Sequence, residues 1–180
     1  MRKAAFLDRD GVLNRNAAPG EYILRWEELA VLPGVTEAIA LLNRAGFVTV
    51  IVTNQRCVAK GLISAGDLES LHARLLAELS KSGAVLDAIY YCPHEANACE
   101  CRKPKPGMLL RAASDLDVDL SASWMIGDSE IDLEAGQRAG CKTVHISGGG
   151  KTSARKPDFE AKSLLDAVGK VLEFESSRVS

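Results

Sequence analysis

Acidic residues follow the apolar runs of this chain, and their placement suggests where chemistry is done. "AAFL" at 4–7 runs into Asp8-Arg9-Asp10-Gly11, and the β-branched "FVTVIVTN" at 47–54 ends in Thr53-Asn54 before Gln55. "SWMI" at 123–126 gives way to Gly127-Asp128-Ser129-Glu130, with Asp132 close behind. If these runs are neighbouring strands of a parallel sheet, ligands collect beyond their carboxyl ends. Asp8, Asp10 and Asp128 then meet on one edge, where like charges repel unless a cation lies between them. Mg2+ suits such a site, because it takes oxygen ligands, keeps several waters and bridges to phosphate. Lys103 and the Thr53 hydroxyl would add what carboxylates lack, a positive charge and a donor for phosphoryl oxygens.

A second constellation is "CPHEANACECRKPKPG" at 92–107, where Cys92, His94, Cys99 and Cys101 fall within ten positions and lead into a basic, proline-rich stretch. Five cysteines is an odd number, and the grouping reads as metal binding in a reducing compartment rather than a disulfide framework. On these residues alone it is a catalytic metal site, a nucleic-acid finger or a clamp on the basic residues next to it. Charge balance weakens the finger: 22 Lys and Arg stand against 24 Asp and Glu, so no large basic field is present.

The elements that must position these residues show as an alternation of strand-length apolar runs and amphipathic stretches. "VTEAIALLNRAG" at 35–46 reads as a helix. So does "SAGDLESLHARLLAELSKSG" at 64–83, with Ser64 as N-cap, Leu68, Leu71, Leu75, Leu76 and Leu79 on one face, and Gly83 ending it. "DAIYYC" at 87–92 is a strand, Pro106 opens a helix through Leu116, "SEIDLEAGQRAG" at 129–140 is a helix and "CKTVHI" at 141–146 a strand. "AKSLLDAVGKVLEFE" at 161–175 closes the chain as an amphipathic helix. The order predicts an α/β fold, a parallel sheet with helices on both faces. "SGGGKTSARKPD" at 147–158 reads as a loop rather than a phosphate cradle, since its glycines do not run into a helix. A chain of 180 residues, 47% hydrophobic, suits a single domain over 1–180. No apolar run approaches the roughly 18 residues of a membrane span, and no signal-peptide pattern opens the chain. A cytoplasmic monomer is expected.

"FLDRDGVLN", "VTNQ", "CRKPKPGML" and "GDSEID", in that order, resemble the four motifs of haloacid dehalogenase (HAD) superfamily phosphatases. "YYCPH" followed by "CECRKPKPGML" is similar to the zinc-bearing heptose bisphosphate phosphatases and their relatives, the histidinol phosphate phosphatases. The likeness runs from about Lys3 to Ile146. It implies a Rossmann-like HAD fold and Mg2+-dependent hydrolysis of a phosphomonoester through an aspartyl-phosphate. Asp8 is implied as the nucleophile, and Asp10 as the acid that protonates the leaving oxygen and then the base that activates water. Mg2+ would be held by Asp8, the backbone carbonyl of Asp10, and Asp128. Thr53, the Asn54 backbone and Lys103 would hold the phosphoryl oxygens, and Asp132 would orient Lys103 or a metal-bound water. Gln55, Arg56, Arg102 and Ser129 complete the substrate-binding candidates, with Arg102 ahead of Arg56 for gripping a remote phosphate.

Within that family likeness, Cys92, His94, Cys99 and Cys101 supply four N/S ligands, enough for a closed tetrahedral Zn2+ with no position for substrate. The zinc is therefore read as structural, fixing Arg102 and Lys103 immediately after Cys101. About forty residues separate Asp10 from Thr53, too few for a large cap domain. Specificity then falls to the loops after Asn14 and Gln55 and to the zinc loop at 92–101. The most concrete expectation is hydrolysis of the 7-phosphate of D-glycero-D-manno-heptose 1,7-bisphosphate, in the making of surface glycans. Histidinol phosphate hydrolysis is the alternative within the family. A catalytically inactive, zinc-stabilised binding module is the alternative outside it. The expected partner is a small sugar phosphate, with neither nucleic acid nor membrane. Cys57 departs from the glycine common in relatives, beside a bulky Arg56, and the four residues between His94 and Cys99 make a shorter loop than some relatives have. His72 and His145 are read as packed or surface residues, Cys141 as inert core, and Asp128 as a helix N-cap as well as a ligand.

Overall fold

In the computed structural model, which describes residues 1–147 and 154–177, burial dictates how the sheet must be covered. β1 (Ala4–Leu7) and β4 (Trp124–Gly127) are buried at every residue, and β2 (Val48–Asn54) at all but the last. Strands apolar on both faces need a layer on each side. With β3 (Ala88–Cys92), β5 (Lys142–Ile146) and β6 (Phe159–Ala161) they form one sheet in the order β3-β2-β1-β4-β5-β6, every pair parallel. α1 (Val35–Arg44), α2 (Ala65–Lys81) and α5 (Leu164–Ser177) pack on Leu7, Ile51 and Trp124. α3 (Gly107–Leu116) and α4 (Glu130–Ala139) cover Phe6, Val50 and Met125 on the other face. The expected α/β architecture is thus present, with no large cap between the elements among the described residues.

Local rules account for the element ends. Ser64 opens α2 by accepting a hydrogen bond from the Asp67 N–H at 3.0 Å, and Gly83 follows its end at φ 81°. Leu68, Leu71, Leu75 and Leu79 are buried, each contributing about 1.5–3 kcal/mol. Leu76 stays partly exposed, a departure from the predicted face, and His72 is buried in that face with the leucines.

β6 is not among the predicted strands, being three residues long and too short for a periodicity signal. A side-chain clamp holds it: Asp158 accepts hydrogen bonds from the Thr143 N–H at 2.7 Å and hydroxyl at 3.2 Å, and its own N–H donates to the Thr143 carbonyl at 3.0 Å. The opposite edge repeats the device with Thr49 and Asp87, at 2.8, 3.2 and 2.8 Å. Both outer strands are thereby registered at their amino ends, so all the carboxyl ends share one rim. Trp124, Phe159 and Phe174 pack together with ring centroids 5.4–5.9 Å apart, joining β4, β6 and α5. Of the glycine-rich stretch at 147–158, residues 148–153 lie outside the described residues.

From β1 the chain winds outward through β2 and β3, then returns to β4 on the other side of β1. The strand order reverses between β1 and β4, which opens a crevice at their carboxyl ends.

Candidate active site

Asp8 leaves β1 into that crevice, its backbone N–H still bonded to the Ile126 carbonyl at 3.0 Å. Asp8 Oδ1 accepts from the Arg9 N–H at 2.8 Å and meets Lys103 Nζ at 2.9 Å. Lys103 arrives from the segment between β3 and α3, is 2% exposed, and also reaches Asp132 Oδ1 at 2.6 Å and the Val52 carbonyl at 2.8 Å. Burial alone would lower the Lys103 ammonium, but the carboxylates of Asp132 and Asp8 outweigh it and hold the pKa above its ordinary value. Burial, with the Asp132 charge adding to it against Lys103, pushes Asp8 up to about 7.

Asp128 follows β4 and receives the Asn16 side-chain N–H at 2.9 Å; burial raises its pKa despite that bond. Two glycines permit the close approach. Gly11 has φ 83°, and a Cβ there would fall 1.9 Å from Asp128 Oδ2; a Cβ on Gly127 would fall 2.2 Å from that of Asp132. α4 is capped by Ser129, whose hydroxyl and N–H both donate to Asp132 Oδ2. That corrects the expectation that Asp128 caps the helix, and leaves the Asp128 carboxylate to the crevice, bonded to Asn16.

Asp8, Asp128 and Asp132 each place a carboxylate oxygen within 4.8 Å of the others. Asp132 is engaged through both oxygens, Oδ1 by Lys103 and Oδ2 by Ser129, whereas Asp8 is bonded through Oδ1 and Asp128 through Oδ2, which leaves Asp8 Oδ2 and Asp128 Oδ1 for a cation. Two partly buried carboxylates with raised pKa, their oxygens within 4.8 Å, fit Mg2+, which favours oxygen ligands.

Asp10 is held from three sides. Oδ1 accepts from Arg9 Nε at 3.2 Å, Arg9 Nη2 at 3.0 Å and Asn14 Nδ2 at 2.9 Å. Oδ2 accepts from Arg9 Nη2 at 2.9 Å and Gln55 Nε2 at 3.0 Å. Gln55, 2% exposed, also donates to Thr53 Oγ1 at 2.9 Å, so it faces inward and braces two other site residues. Cys57 is buried beneath, its thiol 3.6 Å from Gln55 Oε1, and burial raises its pKa. Sequence reasoning gave Arg9 no role, and read His72 as a packed or surface residue without foreseeing that the two meet. Arg9 is 1% exposed and its Nη1 lies 3.0 Å from His72 Nε2. The signals were a cation between two site aspartates and a histidine on an apolar helical face.

Asn54 exchanges hydrogen bonds with the Lys103 backbone: its Nδ2 donates to the Lys103 carbonyl and its Oδ1 accepts the Lys103 N–H, both at 3.1 Å. The end of β2 is thereby latched to the segment that carries Lys103. Arg56 is ion-paired with Glu95 at 2.6 Å, whereas Arg102 bends back to donate to the His94 carbonyl at 3.1 Å. Arg102 also lines a cavity of about 210 Å³ with Lys105 and Arg138, beside the cysteine loop. A larger hollow of about 530 Å³, lined by Arg15, Asn16, Tyr22 and Leu62, adjoins Asp128 through Asn16.

Cys92, His94, Cys99 and Cys101 form the second cluster, their ligand atoms all within 4.8 Å. Neighbouring separations are 3.5 Å for Cys92–Cys99 and 3.2 Å for Cys99–Cys101, with His94 Nδ1 at 3.6 Å from Cys92 and 3.4 Å from Cys101. A tetrahedron of ligands around Zn2+ has edges of about 3.4–3.8 Å; three of these four separations fall in that range and Cys99–Cys101 is slightly shorter, so the donor set suits that ion. Within it, burial and its neighbours push the Cys101 thiol up to about 12; burial would raise Cys99 too, but bonds from Cys101, the Arg102 N–H and Cys92 together outweigh it and bring Cys99 down to about 6. Burial also pushes Cys141 up to about 12, as suits an inert core thiol.

The fold and the rim of carboxylates with a buried lysine define a HAD-type phosphohydrolase. The HAD-hydrolase-like family model matches residues 100–170. The D-glycero-beta-D-manno-heptose-1,7-bisphosphate 7-phosphatase of Rhodopseudomonas palustris is 43% identical over 155 residues, 82% of this chain and 84% of that protein. Its counterpart from Pseudomonas aeruginosa is 39% identical over 172 residues, 94% of this chain and 96% of that one. The crystal structure of D,D-heptose 1,7-bisphosphate phosphatase from B. bronchiseptica, complexed with magnesium and phosphate, matches with a TM-score of 0.84 and 34% identity, over 96% of this chain and 99% of that one. The chain belongs to the family of HAD-type D-glycero-D-manno-heptose-1,7-bisphosphate 7-phosphatases.

Proposed function

We propose that this enzyme removes the 7-phosphate of D-glycero-D-manno-heptose 1,7-bisphosphate, in the β-anomer named for the R. palustris and P. aeruginosa relatives. The observation that carries the proposal is Asp8 beside Asp128 at the reversal of strand order, with Lys103 2.9 Å from Asp8. Mg2+ held by Asp8, Asp128 and the Asp10 carbonyl would screen the anionic nucleophile from the anionic phosphate.

Asp8 attacks phosphorus, its oxygen–phosphorus bond forming as the bond to the sugar oxygen breaks, and Asp10 gives that leaving oxygen a proton. Asp10 then takes a proton from water, which attacks the aspartyl-phosphate, releases inorganic phosphate and restores Asp8. Lys103, the Thr53 hydroxyl and the Asn54 N–H stabilise the charge that spreads over the phosphoryl oxygens. Gln55 and Ser129 act by bracing Asp10 and Asp132, the groups they touch. Arg102 is the better candidate for the remote phosphate, since it gives up only a neutral carbonyl, whereas Arg56 is already neutralised by Glu95. Zn2+ in the cysteine cluster is structural, holding Cys101 and therefore the two cations after it. The enzyme works as a single-domain cytoplasmic monomer on a free sugar phosphate; no helix among the described residues is long and apolar enough to cross a membrane.

The test is Mg2+-dependent phosphate release from the heptose bisphosphate, other sugar bisphosphates and histidinol phosphate. The expected kcat/KM is highest for the heptose bisphosphate. Equal or faster hydrolysis of histidinol phosphate would overturn the substrate assignment.

A further inference from the structure

We propose that His72 is a positioning residue for the acid/base Asp10, acting through Arg9, an inference that rests on the acid/base role proposed for Asp10. Arg9 divides its donors: Nε and Nη2 grip both oxygens of Asp10, and Nη1 meets His72 Nε2 at 3.0 Å. A guanidinium N–H can only donate, so Nε2 is the acceptor and the ring proton sits on Nδ1. His72 is 4% exposed, and burial together with the Arg9 charge lowers its pKa to about 3, so the imidazole is neutral. Its ring is held by the edge of Tyr91, with centroids 5.7 Å apart, and the Tyr91 hydroxyl donates to Glu69 at 2.8 Å.

The choice of a neutral acceptor has a reason. A carboxylate at this position would compete with Asp10 for the guanidinium. An apolar side chain would leave a buried Arg9 N–H without a partner, and the guanidinium would turn to find one. In either case the Asp10 carboxyl loses its fixed direction. A general acid misdirected by a fraction of an ångström delivers its proton less well to a leaving oxygen that needs it.

Leaving groups separate this role from a merely structural one. A sugar alkoxide must be protonated as it departs, whereas p-nitrophenolate need not be. The measurement is kcat/KM for the heptose bisphosphate relative to that for p-nitrophenyl phosphate, which covers steps through formation of the aspartyl-phosphate. Asp10→Asn is expected to lower that ratio about 100-fold, in the range of general acid catalysis. His72→Leu lowers it about tenfold, and His72→Gln, whose Oε1 replaces Nε2 as acceptor, restores it to within about twofold of the parent. In the Asp10→Asn/His72→Leu double variant the histidine change has no further effect on the ratio.

Equal losses on both substrates in His72→Leu, or no recovery in His72→Gln, would overturn the inference while a selective Asp10→Asn leaves the assignment of Asp10 standing. An unselective Asp10→Asn would sink both. If His72→Leu fails to fold, His72→Asn, which draws the acceptor back by one methylene, takes its place in the same comparison with His72→Gln.

Discussion

The cysteine cluster and the carboxylate cluster each bring their ligand atoms within 4.8 Å, yet one is gathered from residues 92–101 and the other from Asp8, Asp128 and Asp132. The first is tied down locally: Cys92 ends β3 in the core, Lys105 Nζ donates to the Cys99 carbonyl at 2.8 Å and Arg102 to the His94 carbonyl at 3.1 Å, while the thiols and the exposed His94 ring face one another. The second is held by the sheet, the Ser129 cap, the Asn16 bond and a buried ammonium, so its geometry is built before any cation arrives. The difference is one of entropy and charge. A short loop of thiols and imidazole can close around an ion with little help from distant elements, whereas partly buried carboxylates from distant elements must be pinned by the fold because their repulsion would otherwise part them. Lys103 joins the two, two residues after Cys101 and against Asp8.

The largest effect should come from the carboxylate side. Asp8→Asn is expected to remove turnover by about 10⁴-fold or more while zinc content is retained; loss of zinc in that variant would show the clusters to be less independent than their separate anchors imply. Lys103→Met should cost about 10³-fold in kcat, since the oxygens it serves carry the developing charge, and phosphate-release assays would show this. Stripping zinc, or Cys99→Ser, should lower the melting temperature and reduce kcat only about 10–100-fold, because Asn54 and Asp132 still hold Lys103. Metal-stripped protein of full stability and activity would show that the loop is no clamp.

Asn54→Ala sharpens the coupling. With zinc present it should cost a few-fold in kcat, and after chelation distinctly more, as two anchors of one segment are lost together. The smallest effect is on stability. The folded His72 pKa of about 3 lies below its ordinary 6.5, so the unfolded chain takes up the proton first as pH falls. Its contribution is complete above pH 6.5 and drains away toward pH 3. His72→Gln should therefore lose less stability than the parent between pH 7 and 4.5 in denaturant titrations.

Much of the fold was legible because its central strands are apolar on both faces and helix ends such as those of α2 carry capping residues. Ser64 and Gly83 marked α2, and Pro106 the start of α3. β6 escaped notice since three residues carry no period, and a Thr143–Asp158 clamp substitutes for sequence length. The site aspartates were legible as the residues following strands. The inward bonds of Gln55 and Ser129 and the contact of Arg9 with the packed His72 were not legible, because a polar side chain at a rim can turn outward to substrate or inward to brace a neighbour, and residue type is the same in both cases.

By itself the sequence determined which residues end the strands, the alternation that makes a parallel sheet, and a cysteine–histidine set close enough in the chain to meet without help. Only the tertiary structure decided that Asp132 serves Lys103, that Ser129 rather than Asp128 caps α4, and that a histidine on α2 steadies the arginine holding Asp10. Local spacing constrains neighbours along the chain, but the direction of a buried polar group is set by whichever partners the packed elements bring to it.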